Sequence, residues 1–416
     1  MNPRLPGSGS PISFVMRYLL SATRAVSILA VVAVGASSTV AAAKDVSGVV
    51  KPKVTILAPK EVKGKISIVQ YPVPARYATP YGVAIDSKNR VWCTLMSGNS
   101  LAVLDPATNE FKEYRIPSTE GLPDSDWKYD TKDRTVPKKA YNVFSVGSPG
   151  SIIVAKNGDI WFVMLLGNSV VRFNPTTEEF TEIILPTTNA QPYDLAEDSA
   201  GRIWFIEKNT SKIGYLDPAT KKITEIPISP GSNMMGIAVD PSGQVWVSEV
   251  NGNYIGRYDP KSRKFRPFVI PTLLAQPGKI IFDGDSKLWF CAPHSRQIGV
   301  FYTNGADRNP HFGMVDVPGY NAAPQALAPA KDGKIWYIDS MMNMIGFFDQ
   351  GKATWSSFEI PSHGAQPMGI AVDLKGDIWF TESDRGVNQI SRVLSSSVPA
   401  QAVSDVNEHV GSSHSH

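Results

Sequence analysis

Four acidic residues, Glu207, Glu249, Asp339 and Glu382, each stand three residues after a tryptophan. His294 and His363 fall in neighbouring positions of the same recurring pattern, as do Tyr81 and Tyr193. Carboxylates gathered around one point are hard oxygen donors, the kind that hold Mg²⁺ or Ca²⁺. A histidine among them titrates near neutral pH and is the commonest general base. Glu207, Glu249 and Asp339 are therefore candidate ligands for a divalent cation, and no other cofactor is implied. His294, Glu249 and Glu382 are the candidate catalytic groups. Tyr81, Tyr193, Met235, Gln325 and Met368 open successive copies of the pattern and are candidate ligand contacts. A plainer reading stands beside this one. A carboxylate at a strand end also accepts hydrogen bonds from the turn that follows. Residues used in chemistry are usually singular, whereas this acid recurs, which favours the turn. The two histidines are singular, but each also suits a surface turn.

A repeat must position these side chains. Seven tryptophans, Trp92, Trp161, Trp204, Trp246, Trp289, Trp336 and Trp379, are separated by 69, 43, 42, 43, 47 and 43 residues. Six residues before the tryptophan stands Asp86, Asp198, Asp240, Asp283 or Asp373, with Ala155 and Ala330 in the other copies. A period near 43 built of short apolar runs and turn residues is the signature of a β-propeller blade. The predicted fold is all-β, a propeller of seven blades with four strands, A to D, in each. Asn89, Gly158, Gly201, Gly243, Gly333 and Gly376 mark the A–B hairpins, where a tight turn needs positive φ. Asn99, Asn168, Asn253, Asn343 and Asn388 do the same between B and C. The tryptophans are expected to fill the space between adjacent sheets. In such a blade the D–A connections and B–C turns share one end of the ring. The starts of strands A and the ends of strands B are thus expected to converge on one mouth of a central channel.

The ends of the chain read differently. Arg4, Arg17 and Arg24 precede the apolar run 25–36 and then Ala41-Ala42-Ala43. That order predicts a secretory signal over 1–43 and an exported protein, periplasmic or extracellular. The run is too diluted by serine, glycine and threonine for a stable membrane span. Of 41 lysines and arginines the signal removes three and no acid, so 38 bases face 38 acids in the remainder. A neutral body argues against nucleic acid as a partner. A small molecule, a peptide or a protein segment at the mouth of a monomer is the expected partner instead. Residues 44–64 read as a linker, and 65–394 as the propeller. Lys65–Pro74 resembles the end of a repeat while the last copy stops near Val393, so the first strand is expected to complete the last blade. This closure removes an open sheet edge. An inserted loop, 118–147, opens over the mouth, a smaller insertion at 304–313 lengthens blade 5, and 395–416 reads as a disordered tail. Cys93 and Cys291 sit in blades that are not neighbours and read as buried free thiols.

The repeat MGIAVDPSGQVWVSEVNGNYIGRYDPKSRKFRPFVIP, from Met235 to Pro271, and its other copies resemble virginiamycin B lyase and the related streptogramin lyases. The resemblance covers about 65–393. It implies a seven-bladed propeller and a Mg²⁺-assisted elimination that opens a cyclic depsipeptide ester, with a histidine as base. The family places histidine after proline at the start of blade 6, where this chain has Pro324-Gln325. It places Glu-Pro-His at the start of blade 7, where this chain has Gln366-Pro367-Met368. A further family glutamate falls on Ser383. Neither glutamine nor methionine can act as a general base. The leading expectation is therefore a binding module, and the alternative a metal-dependent lyase or a lactonase-type hydrolase using the acids at the mouth.

Overall fold

The computed structural model describes residues 32–33, 40–42, 45–116 and 147–400. Seven antiparallel sheets form the ring, and each blade runs in simple order from its inner strand A to its outer strand D. Blade 3 is typical, with Pro192–Glu197, Ile203–Glu207, Lys212–Asp217 and Lys222–Pro227 as strands A to D. The hairpin residues behave as their types require. The five B–C asparagines have φ of 47–54° or 55°, and Gly201 and Gly243 turn the A–B hairpins at φ 80° and 83°.

The repeated aspartate and tryptophan are one structural unit. In blade 3, Trp204 Nε1 donates to Asp198 Oδ2 at 2.9 Å, while Arg202 Nε donates to the same oxygen at 2.7 Å. The other Asp198 oxygen accepts the amides of Ala200 and Arg202 and so closes the hairpin. Burial alone would raise the Asp198 pKa, but these donors outweigh it and hold the carboxyl below its ordinary value. The indole itself packs across to the next blade, among Val245, Val247, Tyr258 and Phe265. Trp92 does likewise against Phe173 of blade 2, at 5.6 Å between ring centroids. Cys93 and Cys291 are buried free thiols, and burial pushes both pKa values up.

Closure runs through the first strands. The N-terminal strands are β1 (Val32–Ala33), β2 (Val40–Ala42), β3 (Asp45–Val49), β4 (Lys53–Ile56), β5 (Lys60–Lys63) and β6 (Ser67–Pro72). β6 pairs with Gln389–Val393, Tyr71 facing Ile390, and becomes the outer strand of blade 7 as expected. The 44–64 stretch corrects the expectation of a linker. β5 adds to β6, β4 adds to the outer strand of blade 1, and β3 adds to that of blade 2. β2 and β1, both inside the 1–43 stretch read as a signal, pair in the uncleaved chain with the outer strands of blades 3 and 4. The physical reason is the unpaired outer edge of each blade, which any extended backbone can satisfy without a marked sequence. The segment thus runs as a belt around the rim, backwards through the blades. The tail also starts later than 395: Ser395 donates to Asp377 through its amide and its hydroxyl, each at 2.7 Å, and Ser67 N donates to Ser397 Oγ. Residues 401–416 and 118–146 of the inserted loop lie outside the described residues. The smaller insertion brings Asp307 to Arg257 and Arg266 of blade 4, at 2.6 and 2.5 Å. Among the described residues no helix is long and apolar enough to cross a membrane.

Candidate functional site

The inner strands do not pair evenly. In blades 1, 2, 3, 4, 6 and 7 the register of strand A slips between its first residue and its third or fourth. Such a bulge re-aims side chains, and the residues it holds are those that open each copy. Tyr81, Tyr193, Met235, Gln325 and Met368 all line one cavity of about 600 Å³ at the mouth of the channel. Hydroxyls on strand B fix the bulges from behind. Thr381 accepts Gly369 N and donates to Tyr81 O, each at 2.9 Å, which joins blade 7 to blade 1. Tyr81 and Tyr193 meet through their hydroxyls at 3.3 Å, and burial raises the pKa of both. Lys208 lies with Nζ 4.5 Å from the Tyr193 ring centroid, and burial lowers its pKa.

The third residue of strand A carries chemistry that the repeat obscured. At Gly236 a Cβ would come within 2.8 Å of the neighbouring backbone, Gly278 O and Ile280 N, so glycine suits the close approach of blades there. The corresponding residues of blades 2, 3 and 5 are Ser151, Asp194 and Lys279. Ser151 Oγ donates to Asp194 Oδ1 at 2.5 Å, and Lys279 Nζ reaches both Asp194 oxygens at 2.6 and 2.8 Å. Asp194 Oδ2 also accepts Ile237 N at 3.2 Å. One buried carboxylate therefore ties blades 2, 3, 4 and 5 across the channel. The signal was present in the sequence as four departures from glycine at one repeat position, three of them polar and the fourth Ala326.

The recurring acids do not converge on the mouth, which corrects that expectation. Glu249 accepts Asn233 N at 2.7 Å and Asn251 N at 3.1 Å, and also Gly252 N. Asp339 accepts Ala323 N, Met341 N and Met342 N at 2.6, 3.0 and 2.8 Å. Each acid thereby clamps a D–A connection to the B–C turn of its own blade. Glu382 accepts from Ser391 and is fully buried, with burial raising its pKa. None of the four lines the cavity, since strand B lies behind strand A and the turns draw the carboxylates aside. His294 is exposed in the short 3₁₀ turn Pro293–Ser295, with Pro293 rather than the imidazole lining the cavity, and His363 is exposed as well.

Glu207 has a distinct environment. Thr210 donates to its Oε2 at 2.6 Å, and Oε1 is buried without a hydrogen-bond partner among the described residues. Burial, with Glu225 nearby, pushes its pKa up to about 7. Burial would raise Glu225 too, but donors from Lys212 and Thr187 prevail and hold it below the ordinary range. The folded protein thus keeps a proton on Glu207 that the unfolded chain releases. Its stability contribution is complete below the unfolded pKa of about 4.5 and is lost as pH rises through about 7. Glu207→Gln, which mimics the protonated acid, is expected to leave stability unchanged near pH 4.5 and to raise it by about 2–3 kcal/mol at pH 8. Chemical denaturation at the two pH values measures this, and an equal effect at both would refute the proton held on Glu207.

Among the described residues no three of His, Cys, Asp and Glu come together. Asp194 is the one carboxylate among the cavity-lining residues described, and Lys279 neutralises it.

The virginiamycin B lyase family model matches residues 138–401. Among solved structures the chain is similar to a streptogramin B lyase at 25% identity and a TM-score of 0.67, over 79% of this chain and 97% of that one. A catalytically inactive histidine-to-alanine variant of virginiamycin B lyase from Staphylococcus aureus, with quinupristin, gives 23% identity and a TM-score of 0.66 over 81% and 99%. YCF48 bound to D1 peptide shares the fold at 13% identity and a TM-score of 0.55, over 82% and 98%. A comparison with curated proteins finds no match. Seven blades, their closure by β6 and the matched span lead to one statement: the chain belongs to the virginiamycin B lyase family.

Proposed function

We propose that the protein is a binding module that takes a small molecule, a peptide or a protein segment at the mouth of its channel. The observation that carries this reading is the lining of the 600 Å³ cavity, which holds Tyr81, Tyr193, Met235, Gln325 and Met368 and no unpaired carboxylate among the described residues. That volume lies within the range of small-molecule sites, about 300–1,000 Å³. Peptide binding by another propeller, YCF48, supports the same use of the fold. Export to the periplasm or the outside, following the basic, apolar and small-residue order of 1–43, and a monomeric state belong to this reading. The second reading, a lyase, is favoured by family membership. It would call on Glu249, Glu382 and His294, of which Glu249 is already saturated by backbone amides.

Quinupristin separates the two. Incubated with the purified protein and Mg²⁺, it is expected to be recovered with its ring intact, as read by mass spectrometry. Ring opening that stops with EDTA would overturn the binding-module reading.

A further inference from the structure

The cavity changes polarity with depth. At its mouth stand Tyr81, Tyr193, Lys208, Asn233, Gln276 and Gln325. Further along strands A the lining becomes Val83, Ile152, Ile281, Leu327, Ile370 and Val372. These deeper residues come from blades 1, 2, 5, 6 and 7, and none from blades 3 and 4. The reason is the Asp194–Lys279 bridge, which crosses that side of the channel and leaves the depth open beside blades 6, 7 and 1. Two lysines line the cavity. Lys279 is neutralised by Asp194, whereas Lys208 has no carboxylate partner among the described residues. Lys208 lies against Tyr193, whose hydroxyl and that of Tyr81 are protonated donors at neutral pH.

We infer that the mouth is a site for an amphiphilic carboxylate: Lys208 and the Tyr193 hydroxyl, which the Tyr81 hydroxyl orients, hold the carboxylate, and the apolar body runs down the wall of blades 6, 7 and 1. The inference rests on the binding-module reading and adds the class of ligand. A lone cation at a half-buried rim recognises an anion by a charge-assisted hydrogen bond. The apolar wall below it recovers hydrophobic burial from each methylene that enters.

The test uses the full chain and three probes, decanoate, butanoate and decanol, in calorimetric titrations. Decanoate is expected to bind, and affinity to rise by about threefold per methylene from butanoate. Decanol is expected to bind at least tenfold more weakly. Lys208→Gln should weaken decanoate by about tenfold, the size of one charge-assisted bond, without changing decanol. Its melting point, measured alongside, shows that the variant is folded. Tyr193→Phe should weaken decanoate less than Lys208→Gln. Equal binding of decanol and decanoate, or no loss in Lys208→Gln, overturns the inference while the binding module stands. No binding of any probe overturns it as well, and an N-acetylated, C-amidated apolar peptide that binds instead leaves the wider reading intact. Quinupristin turnover alone would sink that wider reading.

Discussion

Replacing Ile68 by aspartate is expected to leave the ring open. Ile68 is 2% exposed and packs among Trp336, Ile338, Phe380 and Val393, where blades 6 and 7 meet. It belongs to the strand that seals the last blade, so a charge there is buried without a partner. That costs on the order of 4 kcal/mol or more. Domains of ordinary stability hold about 5–15 kcal/mol in all. The loss should fall on closure first, because the pairing of Ile68–Pro72 with Gln389–Val393 completes the last blade and adds to the Thr381 and Ser383 contacts that join it to blade 1. The expected result is a broad, non-cooperative melt and early proteolysis within 367–393. Ile68→Val, which keeps the shape, should cost only about 1 kcal/mol. A cooperative melt within a few degrees of the parent for Ile68→Asp would show that the first strand does not hold the ring together.

Asp194→Ala is expected to cost about 2–4 kcal/mol. Breaking a buried ion pair by removing one partner usually costs about 3–5 kcal/mol, and the estimate is reduced here because water reaches part of Lys279. The Lys279 side chain is 32% exposed and that of Asp194 only 2%. The substitution also leaves Ser151 Oγ and Ile237 N without their acceptor. Asp194→Ala with Lys279→Met should recover much of the loss, since an apolar pair of similar volume removes the stranded charge. Urea unfolding of the single and double variants measures both terms. A single-variant cost under about 0.5 kcal/mol, the size of an ordinary surface change, would deny the bridge its structural role.

What could be read from the residues, and what could not, divides along a physical line. The blade count, the hairpin glycines and asparagines and the closing strand all follow from features that recur, and recurrence survives in a single sequence. The aspartate six residues before five of the seven tryptophans was visible as a marker, yet its bond to the indole needed coordinates. Asp194 and Lys279 were overlooked for the opposite reason. They break the repeat at one position in two different copies, 85 residues apart, and only the closed ring brings them together. For Glu249 and Asp339 the spacing placed the acids at the correct end of the strand. It could not say that turn amides would consume their oxygens rather than leave them facing the channel. The belt strands carry no tryptophan or aspartate signature, because edge pairing is made by backbone alone.

The backward course of that belt fixes an order of events during synthesis. Residues 67–72 are made before all seven tryptophan strands, and their partner at 389–393 is made after the last of them. β3 must likewise wait for Glu179–Ile184, and β4 for Glu110–Arg115. Nascent domains otherwise tend to fold from the front, and distant pairings of this kind are slow. The blades are therefore made with the closing strand unattached, and the ring is finished only once residues 389–393 have been made.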